Sequence, residues 1–317
     1  MSNPKLVFDV LFDLDLQSFC EDRTLTPIDK KRVLGLANDF ESGKWRSSRF
    51  HQFIWNNIAL TALTKKERES LIFEPDTLTL RAAQKLRFPS DNDPGKGGEI
   101  AEIFLYGVMK HFYNALPVVP KIYYKQNNQD NAKGADSVHI VLDESEAGFS
   151  VWFGEAKFYS DIQDVRLDTV VTSVKNALDD QKLKKENSII LGINDLKDYL
   201  RELKKDELFE KIKRHLDEDA SLDTLKPLLH IPILLIYECR ITANANEYSE
   251  KYRMDVIKYQ KERAEAYFKK QIHKLKDVFN YQEIHFHLIL FPVPNKDRIV
   301  NAFIKKVSER KGEAENE

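Results

Sequence analysis

Leu229 to Cys239 reads LHIPILLIYEC, a continuous apolar run of strand length. A strand apolar on both alternating faces has to be covered on both, so this stretch is expected inside a sheet with helices packed on either side. Glu283 to Pro292, EIHFHLILFP, is a second expected strand. Between them, Glu247 to Phe279 reads as one long helix, with Thr242-Ala-Asn-Ala-Asn as its cap. Alternation of strands and helices on this scale is the pattern of an α/β protein.

The chain has 317 residues, room for one large domain or two modest ones. A formal net charge of -2 argues against coating nucleic acid by bulk charge and leaves room for a local basic groove. The two cysteines, Cys20 and Cys239, form no C-x-x-C, so neither a disulfide framework nor a zinc site is indicated and a reducing cytoplasm fits. The N-terminus lacks the pattern of a signal peptide. The most apolar run, Ile231 to Tyr237, is far short of the roughly 20 residues of a membrane helix.

Residues 5–19 alternate as an edge strand or short helix, with Asp13-x-Asp15 either a ligand pair or a solvated face. From Pro27 the pattern reads as helical, through KKRVLGLANDFESGKW and RFHQFIWNNIALTAL. Thr64 and Glu67 match a capping box. The run Pro89 to Gly98 is the expected boundary between a mainly helical N-terminal region, 1–94, and a second domain, 95–317. The aromatic residues Trp45, Phe50, Phe53 and Trp55 fill either a core or a partner contact, which makes 1–94 the candidate for docking a partner.

Past the boundary, Glu99 to Phe112 reads as a buried helix in which Glu99 and Glu102 share a face. Glu99 is explained by favourable charge at a helix N-terminus. Glu102 lies among Ile100, Ala101, Ile103, Phe104 and Leu105, where an unpaired carboxylate is costly. Pro117 to Lys125 is expected as a strand, and Asp161 to Lys185 as one amphipathic helix with Val165, Leu167, Val170, Val171 and Val174 inward. The basic run of the long helix, Lys258 to Lys276, is either a solvated face or a groove wall. His285-x-His287 is a weak candidate for metal, and the charged tail from Lys305 is expected to fray.

Between these elements lies GADSVHIVLDESEAGFSVWFGEAKFY, residues 134–159, which alternates as two strands around the turn DESEAG. If Leu142 pairs with Phe149, Asp136 falls opposite Glu155, and Lys157 shares the face of Glu155. Opposed carboxylates in a sheet cost about 0.2 to 1 kcal/mol without compensation. The arrangement calls for a hard divalent cation with oxygen ligands.

With Asp136 and Glu155 nineteen positions apart, and GGEIAEIFLYGV upstream, residues 95–292 resemble the PD-(D/E)xK nuclease superfamily. Ala135 stands where that superfamily often has Pro. GEIAE, GADSVHI and GEAKFYSDI also carry a narrower resemblance, to the HamA family of effector nuclease subunits of the Hachiman antiphage defence system. The resemblance implies a restriction-endonuclease-like core with a mixed central sheet flanked by helices, and a DNA nuclease restrained and activated by a HamB-like helicase. It also implies a site for Mg²⁺ or Mn²⁺ at Asp136, Glu155, the carbonyl of Ala156 and Glu102, with Glu99 behind them and Lys157 beside the attacked phosphate. The alternative is a catalytically inactive nuclease fold that binds DNA or serves as an adaptor.

Overall fold

The computed structural model describes residues 5–87, 97–125, 134–143 and 148–315. The chain opens with strands β1 (Asp9–Asp15) and β2 (Lys31–Ala37), then a small hairpin, β3 (Phe40–Glu41) and β4 (Lys44–Trp45). Helices α1 (Ser47–Ala62), α2 (Lys65–Ser70) and α3 (Pro75–Gln84) follow, with the expected capping box at Thr64. Next come α4 (Gly98–His111), β5 (Leu116–Val119), the short α5 (Lys121–Lys125), and the paired strands β6 (Ser137–Leu142) and β7 (Phe149–Tyr159). Five helices follow: α6 (Asp164–Ala177), α7 (Asp180–Gly192), α8 (Asn194–Glu202), α9 (Asp206–Leu216) and α10 (Leu222–Leu225). The remainder is β8 (Leu229–Glu238), α11 (Arg240–Asn244), α12 (Glu250–Leu275), β9 (His285–Val293) and α13 (Lys296–Glu315).

The chain is an α/β protein built on a seven-stranded sheet in the order β1-β2-β9-β8-β7-β6-β5. The four central strands β2, β9, β8 and β7 are mutually parallel, while β1, β6 and β5 pair antiparallel with their neighbours. The two apolar runs are β8 and β9, buried on both sides. One face packs Ile100, Phe104, Leu105, Phe50 and Phe303 against Trp152, Ala156 and Phe158. The other packs Leu167, Val170, Val171, Val174, Tyr267 and Phe268 against Val151 and Phe153.

The helical reading of Lys30 to Trp45 is corrected, since β2 is an inner strand with Val33, Leu34, Leu36 and Ala37 buried. A short apolar run does not declare its period, and only the neighbours on either side decide it. Gly35 is required there, because a Cβ would stand 2.3 Å from the Phe12 ring. The boundary run lies largely outside the described residues, as do the loop 126–133 and the tip of the DESEAG turn. On both sides of the boundary the chain feeds one sheet, and Phe8, Phe50, Phe53, Phe104 and Phe291 stack across it. Each aromatic pair of this kind contributes about 0.5 to 1.5 kcal/mol beyond burial.

Other boundaries shift for local reasons. The strand expected over Pro117 to Lys125 stops at Val119, and KIYYK forms α5. The helix expected from Asp161 to Lys185 breaks at Leu178, where Asp179 caps α7 by accepting the N–H groups of Gln181 and Lys182. Val165, expected inward, is 77% exposed. Ser249, rather than the TANAN segment, caps α12. The tail is helical to Glu315, anchored by buried Phe303 and Val307 and by Lys311 donating to the Leu86 carbonyl at 2.8 Å.

Candidate active site

β6 and β7 pair in the register counted from the sequence, Leu142 opposite Phe149 and Ser137 opposite Gly154. One step further, the Asp136 N–H donates to the Gly154 carbonyl at 2.8 Å, which sets its side chain beside Glu155. Past Gly154 no further ladder pair joins β7 to β6 among the described residues, and the Ala156 N–H donates to Asp136 Oδ2 at 3.1 Å. Lys157 Nζ stands 2.5 Å from Glu155 Oε1 and 3.4 Å from Asp136 Oδ2. The structure thus brings together Asp136, Glu155 and Lys157.

The loop before Asp136 is held from beneath. Lys121 of α5 donates to both oxygens of Glu186 of α7 at 2.8 and 2.6 Å, and the Ala135 N–H donates to Glu186 Oε1 at 2.9 Å. A Cβ on Gly134 would lie 1.7 Å from that oxygen, so only glycine fits. Gly154 serves the opposite face, where a Cβ would stand 2.8 Å from Leu105 of α4.

The titration of the cluster is set by burial and by the neighbouring charges. Burial raises the pKa of Glu155 above the ordinary carboxylate range and the charge of Asp136 raises it further, against the pull of Lys157 and Ser173. For Lys157, burial acts downward, but Asp136 and Glu155 together outweigh it and hold the ammonium charged. Ser173 of α6 donates to Glu155 Oε1 at 2.5 Å. Sequence reasoning missed Ser173. Its signal was a hydroxyl set between Val170 and Val174, on the margin of the stripe that α6 buries.

Part of the basic run of α12 packs on α6. Arg263 pairs with Asp164 and Lys270 with Asp168, and Lys274 donates to the Thr172 hydroxyl at 2.5 Å, so α12 grips the stripe of α6 beside Ser173. Asp13 and Asp15 are bridged by Arg32 across β1 and β2, Asp13 at 2.6 Å.

Glu102 is buried, 8% exposed, on α4. Leu105 packs against Gly154 and Gly97 against Phe158, so α4 runs antiparallel to β7 and Glu102 lies abreast of Glu155 and Ala156. Side chains alternate along β7, however, and α4 covers the face of Gly154, Ala156 and Phe158, not that of Glu155 and Lys157. Glu102 and the cluster therefore stand on opposite faces of β7. Glu99 accepts the Arg87 N–H at 2.8 Å.

His285 and His287 gain a third imidazole. His230 Nδ1 lies 2.8 Å from His287 Nε2, and the His230 ring stacks on His285 at 4.2 Å and on Trp152 at 4.5 Å. Burial pushes His287 down to about 3 and His230 to about 2, with neighbouring imidazoles adding to the effect. These are neutral stacked rings. Among the described residues no group of three or more His, Cys, Asp or Glu is arranged to hold a metal ion.

Asp136 and Glu155 nevertheless fit a hard cation of the kind that keeps several waters and shares its coordination with a substrate phosphate. Magnesium sites commonly use one or two carboxylates, and the two side chains here offer carboxylate oxygens set beside one another. Among the described residues no helix is long and apolar enough to cross a membrane. No curated protein matches the chain in sequence. The family model described as HamA matches residues 14–307, and the chain belongs to that family.

Proposed function

From membership of the HamA family, and hence a place in antiphage defence of the Hachiman type, we propose that this chain is a Mg²⁺- or Mn²⁺-dependent deoxyribonuclease. It would be the effector of a complex with a HamB-like helicase that restrains and activates it. The observation that carries this reading is the meeting of Asp136, Glu155 and Lys157 at β7, beside the carboxyl ends of the parallel strands.

In this proposal Asp136, Glu155 and the Ala156 carbonyl hold the cation, with Glu102 as a third acidic arm across the edge and Glu99 behind it. When bound, the cation neutralises charge on the scissile phosphate and makes the attacking water more acidic. With the carboxylates so engaged, Lys157 would be available to the phosphate, where its ammonium would orient the water and offset the negative charge that develops. Ser173 donates to Glu155 and favours its ionised form against the burial that raises its pKa. The Lys121–Glu186 pair fixes the backbone that aims Asp136.

Partner docking through residues 1–94 takes a different form from the one the aromatic content implied. Phe50 and Phe53 are core residues, and the large apolar side chains which that region exposes among the described residues are Val7 and Val10 at 42%, Ile72 at 66% and Phe73 at 95%.

The test is cleavage of plasmid, linear duplex and single-stranded DNA by the purified chain in Mg²⁺, alone and with the helicase partner. Asp136→Asn, Glu155→Gln and Lys157→Met are expected to abolish cutting. Undiminished cutting by these variants would remove the site. DNA binding with no cutting by any form, partner included, would leave the inactive adaptor.

A further inference from the structure

Most cations around α6 and α12 already have acidic partners. Arg263 pairs with Asp164 at 3.1 Å, Lys270 with Asp168 at 3.0 Å, Lys269 with Asp22 at 3.0 Å and Lys251 with Asp255 at 2.8 Å. Two cations at the carboxyl end of the sheet differ. Arg166, in the first turn of α6, is exposed and lies over the Tyr159 ring, 5.4 Å from its centre. Lys296, the first residue of α13, is half-buried and lies over the Phe158 ring at 5.8 Å. Among the described residues neither makes an ion pair.

Tyr159 and Arg166 continue the candidate active site in one direction, and Lys296 lies over Phe158 on the opposite face of β7 at the same strand end. Tyr159 shares its face of β7 with Glu155 and Lys157, one step of roughly 7 Å beyond Lys157. After burial, the charges that act on its hydroxyl are Lys157, Glu155, Arg166 and Asp136, which places it between the cluster and Arg166. Lys296 in turn lies within electrostatic reach of Arg166, and burial together with that neighbour lowers its affinity for a proton against the pull of Asp297 and Glu238. A half-buried ammonium beside a guanidinium, with no acid paired to either, favours an anion. The track ends where β7, β8 and β9 all finish, at Tyr159, Glu238 and Val293.

We infer that Tyr159, Arg166 and Lys296 form a subsite for the sugar–phosphate backbone of the nucleic-acid strand adjoining the scissile phosphate. The inference rests on the nuclease reading and deepens it by giving the substrate strand a direction away from the cluster. Arg166 is suited to two-point contact with a phosphate, its plane held by the Tyr159 ring. Lys296 supplies a point charge at the same strand end from the α13 side of the sheet. A polyanion fits this arrangement better than an acidic protein segment, because the track begins at two carboxylates that a protein carboxylate would have to face without a cation.

The test uses the full chain in Ca²⁺ without Mg²⁺, with fluorescein-labelled single-stranded and duplex DNA, binding read by anisotropy across a KCl series. Arg166→Gln and Lys296→Gln should each flatten the slope of log affinity against log salt by roughly 0.7 on single strands or 0.9 on duplex. Both should raise KM for cleavage more than they lower kcat. Lys269→Gln, which removes a cation already matched by Asp22, should leave slope and KM unchanged. Parental slopes in both variants, or a parent that binds neither probe, would overturn the inference. A chain that cuts DNA while both variants cut and bind like the parent defeats the subsite and spares the nuclease. A chain that binds through Arg166 and Lys296 but never cuts supports the subsite and defeats the nuclease.

Discussion

Lys121 and Lys157 each hold an ammonium against carboxylates inside the protein, yet their surroundings differ. The Lys121 side chain is 1% exposed and that of Glu186 is 4%, with both carboxylate oxygens taking hydrogen bonds from Lys121 and one also accepting the Ala135 N–H. The Lys157 side chain is 29% exposed and faces two carboxylates, of which Glu155 is driven toward its neutral form. A balanced and closed pair fastens the chain. A perturbed carboxylate beside a partly exposed ammonium is the kind of group found at functional sites as well as in structural ion-pair networks.

The largest expected effect separates the two regions outright. Asp136→Asn or Glu155→Gln should lower single-turnover DNA cleavage about a thousandfold or more. In the metal-free protein the same changes should leave the melting temperature equal or higher, because they relieve repulsion. A drop in melting temperature with retained cleavage would reverse the roles assigned here. Next in size, Glu186→Ala should cost about 3 to 5 kcal/mol in urea unfolding, since it strands a buried ammonium. Lys121→Met with Glu186→Leu should recover most of that loss. If Glu186→Ala unfolds like the parent, the fastening role is gone.

Ser173→Ala sharpens the comparison within the open cluster. Loss of this outer hydrogen bond should weaken Mg²⁺ binding or cleavage about 10- to 100-fold, with Ser173→Thr recovering part. The hydroxyl favours ionised Glu155, so its removal raises that pKa and should move the acidic limb of the rate–pH profile to higher pH. An unmoved limb would assign Ser173 to packing alone.

The smallest effect concerns a buried base under the same hairpin. Burial lowers His139 from 6.5 to about 3, so the folded protein resists its protonation. The stability this group contributes is complete above pH 6.5 and is lost as pH falls toward 3, by about 1.4 kcal/mol per pH unit. His139→Phe should flatten the acid side of the stability curve by that slope, and an unchanged curve would show that the imidazole protonates without unfolding.

What could be read from the sequence was local. Period-two alternation and the residues counted around one turn placed Asp136 opposite Glu155 with Lys157 beside it, and continuous apolar runs marked β8 and β9 as inner strands. These signals depend only on neighbours in the chain. Whether VLGLA was helix or strand depended on β1 and β9, the second far away in sequence. The partners of α12, the hydroxyl on Glu155 and the pair beneath Gly134 are likewise contacts between distant segments, which no spacing announces. The sequence alone determined which groups could carry the chemistry. The tertiary structure decided their balance of charge, their burial and the sheet face on which each one stands, because those depend on what packs against them.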